Sequence, residues 1–158
     1  MTNIPKRRGT AFESAVVRYL RERTGDERIE RRALHGSKDM GDIYGIYAHG
    51  NSGIAECKAH KSYGPALLAQ WREQTLAERG NADADFAVLV VKVPQAPIGE
   101  CIAHVTIRDL FRVGCGHFSP AHYNRVCDEM WVMMTLSELA GLIIGRQWPA
   151  YGKEASGD

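Results

Sequence analysis

Two acidic residues and a lysine lie close together early in the chain. Asp42 opens a short β-prone run, and Glu56 and Lys58 lie two residues apart on the next one. Because side chains alternate along a strand, Glu56 and Lys58 are expected on one face, and a hairpin of this length would bring Asp42 near them. Paired carboxylates hold Mg²⁺ while water and phosphate complete its shell, and an adjacent lysine can stabilise developing negative charge.

A Glu-x-Lys pair is also common on solvated strand edges, so its surroundings matter. The approach from Gly36 to Asp42 is polar and glycine-bearing, which suits a backbone that must present a carboxylate. Glu13 is a further candidate because it shares a helix face with Val16 and Leu20 and leans toward the core, where a carboxylate needs a partner. The alternative for Glu13 is a position at the edge of that face, in contact with water.

These motifs resemble those of a known nuclease family. Gly9–Glu13, Ser37–Asp42 and Glu56–Lys58 are similar to the motifs of archaeal-type Holliday junction resolvases and related phage resolvase-like endonucleases, which belong to the PD-(D/E)XK superfamily. The resemblance covers roughly residues 6–93, and the stretch Trp131–Ile144 is similar to the end of the family's fold. Gly41 stands where the superfamily name has proline.

The resemblance implies a restriction-endonuclease-like fold and a Mg²⁺-dependent DNA endonuclease, with Mn²⁺ as a substitute metal. It implies Glu13, Asp42 and Glu56 as metal ligands, Lys58 beside the attacking water, and Ser37 as a further active-site residue. Some superfamily members also use a polar residue on the helix after the Glu-x-Lys strand. That helix offers Gln70, Glu73 and Gln74 here, beside Trp71; otherwise Trp71 belongs to the core and its neighbours to the surface.

The basic residues are distributed unevenly and favour a polyanionic partner for the first third of the chain. Residues 1–61 hold 12 Lys and Arg against 8 Asp and Glu, whereas the whole chain has a net charge of +1. Ordinary exposed cations would give the same pattern. The candidate DNA-binding residues are Lys6, Arg7, Arg8, Arg31, Arg32, Lys38, His60 and Lys61.

Hydrophobic periodicity predicts an α/β fold with a mixed central sheet flanked by helices in a single domain, residues 1–150, followed by a tail, residues 151–158. Residues 97–128 are predicted to be an insertion before the last strand. Thr135 and Glu138 form a predicted capping box for the last helix. The predicted helices are Pro5–Arg23 and Pro65–Arg79, and the predicted strands are Arg28–Leu34 (weakly), Asp42–Ala48, Gly53–Lys58, Phe86–Val93 and Met130–Met134, with a further candidate strand, Cys101–Ile107, inside the insertion.

The predicted insertion contains several soft metal ligands at irregular spacing. They leave two interpretations open, a structural Zn²⁺ site or buried thiols with surface histidines. The number of cysteines does not resemble a disulfide scaffold, and no stretch has the length of a signal peptide or membrane span, so we expect a cytoplasmic protein. The residues concerned are Cys101, His104, Cys115, His117, His122 and Cys127.

Cutting a four-way junction symmetrically requires two active sites, so the resemblance also implies a homodimer acting in DNA recombination and repair. Two alternatives remain. One keeps the chemistry but changes the target to linear or nicked duplex, as in a restriction-like or repair nuclease. The other is a non-catalytic module, either DNA-binding or stabilised by zinc, in which the acidic residues are solvated.

Overall fold

The computed structural model describes residues 4–33, 38–115 and 126–145. In the described part, no helix combines the length and apolar character that crossing a bilayer requires. A short 3₁₀ turn, Ile98–Glu100, precedes the fifth strand. The helices are α1 (Ile4–Thr24), α2 (Pro65–Asn81), α3 (Ile107–Cys115), α4 (Val126–Glu129) and α5 (Leu136–Ile143), and the strands are β1 (Glu30–Arg31), β2 (Ile43–Ala48), β3 (Asn51–Lys58), β4 (Phe86–Val91), β5 (Ile102–Thr106) and β6 (Trp131–Thr135).

The strands form one six-stranded sheet in which spatial order follows chain order, from β1 to β6. All neighbours are antiparallel except β3 and β4, which are parallel and are connected through α2. Every residue of β4 is buried, as its unbroken run of apolar residues predicts for a strand covered on both faces. This part of the fold, a mixed sheet flanked by helices, confirms the predicted α/β class.

Helices cover the two faces of the sheet unequally. On one face, α1, α3 and α5 pack their apolar residues against the inward side chains of the sheet, including Ala55 and Cys57. On the other face, α2 packs Trp71 against Leu89 and Val91 of β4. Glu56 and Leu89 are partners in the parallel ladder, so Glu56 lies on the α2 face.

An irregularity in β2 sets which residue faces Glu56. Ile43 pairs with Ala55 and Ile46 pairs with Gly53, so β2 contains one extra residue between these two pairs. Because of this bulge, Ile43 and Ile46 both point into the core that α1 covers. Since Ile43 pairs with Ala55, the preceding residue, Asp42, lies opposite Glu56 on the α2 face. Without the bulge, Asp42 would lie opposite Cys57, on the face that α1 covers.

The predicted hairpin is confirmed, with a tighter connection than expected. His49 and Gly50, both with positive φ, form a two-residue turn of the kind that suits the twist of paired strands. The capping box is also confirmed, since the Thr135 hydroxyl accepts from the Glu138 N–H and the Glu138 carboxylate accepts from the Thr135 N–H.

The stretch predicted as an insertion contains β5, which pairs with both β4 and β6 and therefore belongs to the sheet. Its range, Ile102–Thr106, confirms the candidate strand predicted over Cys101–Ile107. The weakly predicted first strand shrinks to Glu30–Arg31. Residues 116–125 of the predicted insertion and the tail, residues 151–158, lie outside the described residues.

The bulge gives a test of the fold with a matched control. Gly45 and Gly50 both have positive φ, 75° and 85°. A Cβ added at Gly45 would lie 2.0 Å from the Arg28 carbonyl oxygen, whereas one at Gly50 would meet nothing within 4 Å. We expect Gly50→Ala to lower the free energy of unfolding by about 1 kcal/mol and Gly45→Ala by about 3 kcal/mol or more, measured by urea denaturation. Equal losses would contradict the close approach of β2 to Arg28.

Candidate functional site

The predicted acidic pair and lysine meet on the α2 face of the sheet. Glu56 is buried, with 4% of the residue exposed, and the side chain of Lys58 is 17% exposed. The Lys58 Nζ donates to Glu56 Oε1 in a short ion pair. Asp42 faces Glu56 across the hairpin in the continued register, a position in which Cβ atoms lie about 5 Å apart. The structure thus brings Asp42, Glu56 and Lys58 together.

Asp42 is fixed by the strand that it faces. Its Oδ2 accepts a hydrogen bond of 2.8 Å from the backbone N–H of Cys57. Its own carbonyl oxygen accepts from the N–H of Arg32 at 2.7 Å, which continues the pairing of β1 with β2. The carboxylate is therefore held at a defined point beside Glu56.

The electrostatics of the site disfavour a second negative charge. Burial, followed by the charges of Asp42 and Glu78, raises the pKa of Glu56 to about 9, although Lys58 opposes the shift. The pKa of the Cys57 thiol is also raised, first by burial and then by the charges of Asp42, Glu56 and Glu13. The site thus holds more acidic groups than its one lysine neutralises, and an additional cation would stabilise it.

Glu13 approaches the site from another direction. It lies on α1, which packs on the opposite face of the sheet from α2, and its Oε2 lies 3.4 Å from Arg31 Nη1. Burial, then the charge of Asp42, raises the pKa of Glu13, while Arg31 and Lys58 lower it. Glu13 is thus electrostatically coupled to Asp42 but its carboxylate is paired with Arg31.

The donor set fits a magnesium ion bound by two carboxylates. Within residues 4–33, 38–115 and 126–145, no three His, Cys, Asp or Glu side chains form a group that could hold a metal ion. Asp42 and Glu56 nevertheless supply two facing oxygen donors whose mutual repulsion a cation would relieve. Mg²⁺ is bound by one or two carboxylates with water and substrate phosphate in the remaining positions, so this pair is sufficient for it.

The helix after the Glu-x-Lys strand contributes one of its polar residues. Gln70 and Glu73 are exposed and Trp71 is buried in the core. Gln74 contacts the site directly, since its Oε1 accepts from Lys58 Nζ at 3.1 Å and its Nε2 lies 3.3 Å from Glu56 Oε1. Ser37, the remaining predicted site residue, lies outside the described residues.

Glu78 is a site residue that our reading of the sequence missed. Its Oε1 accepts from Gln74 Nε2 at 2.7 Å, and burial raises its pKa to about 7. Trp71, Thr75 and Glu78 are the buried residues of α2, spaced as one helix face. Extending the apolar face of α2 by one turn would have found this carboxylate.

Three of the predicted DNA-binding residues line one groove. Arg8, His60 and Lys61 lie at its rim, together with Lys92, which the sequence interpretation did not single out. The groove has a volume of about 560 Å³ and an apolar floor that includes Phe12, and its described lining side chains contain no Asp or Glu. None of its cations forms an ion pair with a carboxylate among the described residues.

The groove is lined by residues of α1 and by residues that follow β3 and β4. His60 follows Lys58 by two residues, and its ring lies 4.9 Å from that of Trp71 on α2. Lys92 follows β4 directly, and its N–H donates to the carbonyl oxygen of Lys58. The groove therefore lies at the end of the strand that carries Lys58, while its residues Phe12 and Cys101 belong to the core on the α1 face of the sheet.

The other predicted cations are dispersed. Arg31 pairs with Glu13, Arg32 lies over the Tyr44 ring at 4.9 Å, and Lys38 is exposed. Lys6 and Arg7 belong to the first turns of α1, but their side chains lie outside the described residues.

The described residues of the predicted zinc set do not converge. Cys101 is buried in the core that α1 covers, whereas His104 lies on the α2 face, where its Nδ1 is 3.1 Å from Arg72 Nη2. Cys115 is exposed at the end of α3. His117 and His122 lie outside the described residues. The contact with Arg72 provides a polar partner for the buried His104 ring without a bound metal ion.

Comparison with known proteins identifies no relative. No protein-family model, no curated protein and no solved structure matches the chain. The functional interpretation therefore rests on the fold and on the geometry of the site.

The burial of His104 predicts a loss of stability in acid. Burial, and then the charge of Arg72, lowers the pKa of His104 from 6.5 to about 4, so the unfolded chain binds the proton more readily than the native protein does. The stability that comes from keeping His104 neutral is complete above the pKa of this histidine in the unfolded chain, and it is lost as the pH falls below that pKa. We expect protonation of His104 in the unfolded chain to lower the free energy of unfolding by about 2 kcal/mol when the pH falls from about 7.5 to about 5.

Urea denaturation at the two pH values measures this loss. The His104→Gln variant should lose about 2 kcal/mol less than the wild type over this interval. The control His60→Gln, which changes an exposed histidine, should behave like the wild type. Parallel pH profiles for the wild type and His104→Gln would show that His104 is not buried in its neutral form.

Proposed function

We propose that this protein is a Mg²⁺-dependent endonuclease that cuts branched DNA such as four-way junctions, with a restriction-endonuclease-like fold. The observation that supports the proposal is the convergence of Asp42, Glu56 and Lys58 at a bulged hairpin, on the face that α2 covers. The mixed sheet flanked by helices is compatible with that fold.

In this proposal Asp42 and Glu56 hold the metal. Mg²⁺ would neutralise charge on the phosphate and lower the pKa of a bound water. The Lys58 amine, now paired with Glu56 and Gln74, donates hydrogen bonds to the attacking water or to the phosphate as negative charge develops. Glu13 acts at the margin of the site, where its charge acts on Asp42.

The basic groove supplies the contacts that hold the DNA. Arg8, His60, Lys61 and Lys92 would bind phosphates that flank the scissile one, since the groove lies at the end of the strand that carries Lys58. Contacts of this kind bind phosphates without reading base sequence, which suits an enzyme that selects the shape of its substrate. A homodimer would place two such sites on one junction, as paired cuts require. A DNA substrate agrees with a cytoplasmic location.

A cleavage assay tests the proposal. The wild type, Glu56→Ala and Lys58→Ala would be incubated with a synthetic four-way junction and with linear duplex of matched sequence, in Mg²⁺ or in EDTA. We expect paired nicks in the junction with Mg²⁺ alone, and cleavage reduced about 100-fold or more in both variants, because each loses a group that acts on the phosphate. Denaturing gels give the cut positions and rates.

The controls separate the alternatives. Glu22→Ala, which changes an exposed residue of α1, should cut like the wild type. Equal cutting of linear duplex would favour a restriction-like or repair nuclease. Binding of DNA by a wild type that cuts neither substrate would instead favour a non-catalytic module and would contradict the proposal.

The groove predicts a specific salt dependence of DNA binding. We expect Lys92→Gln to weaken the binding of duplex DNA and to reduce the slope of log K against log[salt] by about 0.9, because one phosphate contact is lost. Fluorescence anisotropy in EDTA measures binding without cleavage.

Arg23→Gln is the matched control for this measurement. Arg23 is an exposed cation of α1 that lies 15 residues beyond Arg8, or about 22 Å along the helix. Its loss should leave the slope unchanged. If both variants behaved alike, the groove would not be the surface that binds DNA.

A further inference from the structure

Glu78 is a buried carboxylate on the inward face of α2. Only 1% of the residue is exposed, and its Oε2 is buried with no hydrogen-bond donor other than the neighbouring carboxyl of Glu56. A buried oxygen with so few donors loses hydrogen bonds that water would supply. A leucine at this position of α2 would avoid that loss, since the preceding buried residues of this helix face are Trp71 and Thr75.

Glu78 accepts a hydrogen bond from Gln74, and this hydrogen bond sets the orientation of the Gln74 side-chain amide. Gln74 Nε2 donates to Glu78 Oε1 at 2.7 Å and lies 3.3 Å from Glu56 Oε1, while Gln74 Oε1 accepts from Lys58. The reversed amide would direct its oxygen at two carboxylates and its N–H groups at an ammonium. Glu78 therefore favours the orientation in which Gln74 holds both Lys58 and Glu56.

We infer that Glu78 is a positioning residue for the proposed reaction, acting through Gln74 on Lys58 and Glu56. The inference rests on the proposed function, because it assigns Glu78 a part in the same site. Glu78 orients the amide, the amide fixes the lysine and the carboxylate, and the lysine meets the phosphate with its amine already in place. Misplacement of a reacting group by about 1 Å can cost about 100-fold in rate.

Two substitutions at the same position separate positioning from structural support. Glu78→Leu removes the acceptor for Gln74 Nε2, whereas Glu78→Gln retains a carbonyl oxygen there. We expect Glu78→Leu to lower kcat for junction cleavage about 10-fold to 100-fold with little change in KM, and Glu78→Gln to remain within about 3-fold of the wild type. Thermal unfolding of Glu78→Leu should occur at or above the wild-type temperature, because the buried oxygen with few donors is gone.

A double variant tests whether the effect passes through Gln74. Once Gln74→Leu has removed the amide, adding Glu78→Leu should lower kcat by no more than about 2-fold further. A full additional loss would overturn the inference that Glu78 acts through Gln74. Wild-type kcat in Glu78→Leu would overturn the positioning role altogether, as would a loss of activity that follows a loss of thermal stability.

A readout without cleavage distinguishes failure of this inference from failure of the proposed function. NMR of the Lys58 side-chain nitrogen, assigned with Lys58→Arg, reports the surroundings of the amine in the uncleaved system. We expect the Lys58 signal to shift in Glu78→Leu and to stay near its wild-type position in Glu78→Gln. If the wild type cut no DNA, this pattern would still support positioning of Lys58 by Glu78, and an unmoved signal in both variants would overturn it.

Discussion

One extra residue in β2 determines the composition of the candidate site. Successive side chains of a strand point to opposite faces of the sheet. A register shift of one residue therefore decides whether Asp42 lies beside Glu56 or among the apolar residues under α1. The bulge between Ile43 and Ile46 allows both isoleucines to enter the core and leaves Asp42 on the other face. Gly45, within the bulge, lies so close to the backbone of Arg28 that a side chain would not fit there. Packing of the core and presentation of the carboxylate are thus consequences of the same local geometry.

The site concentrates acidic side chains at buried positions where apolar side chains would be less costly to bury. Glu56 and Glu78 are almost fully buried, and the cations within reach are fewer than the acidic groups. Buried ion pairs seldom repay the cost of desolvation, so an apolar α2 face would give a more stable protein. Departures of this kind from stable packing are expected where a protein binds a ligand or performs chemistry. The basic groove shows the opposite imbalance, and the two together suit a substrate that carries phosphate with a metal ion.

The sequence was sufficient to predict the elements whose signals are local. The helical period of α1, the apolar run of β4 and the capping box at Thr135 each depend on residues within one element, and all are present. Glu56 and Lys58 could be grouped because side chains alternate along a strand, whereas the face on which Asp42 lies depends on the bulge in β2, which the sequence did not predict. β5 was predicted as a candidate strand inside the insertion, and its signal was weaker because a histidine in the middle of a buried strand reduces its apolar character.

The contributions of Glu78 and Lys92 depend on tertiary packing. Glu78 reaches the site because α2 crosses the face that bears Glu56, and no feature of the sequence near Glu78 specifies that crossing. Lys92 joins Arg8 only because α1 lies next to the end of β4. The convergence of Glu13 on the acidic pair was predicted from the resemblance, whereas the structure couples it to Asp42 while pairing it with Arg31.

Cys57 lies between Glu56 and Lys58 in the sequence, with its backbone N–H donating to Asp42 and its thiol buried in the core. A thiol that is both inaccessible and disfavoured as a thiolate reacts with alkylating reagents only when the surrounding structure opens. The rate at which Cys57 is alkylated would therefore report how often the hairpin separates from the helices above it. Cys57 is thus a built-in probe for local opening of the structure around the site.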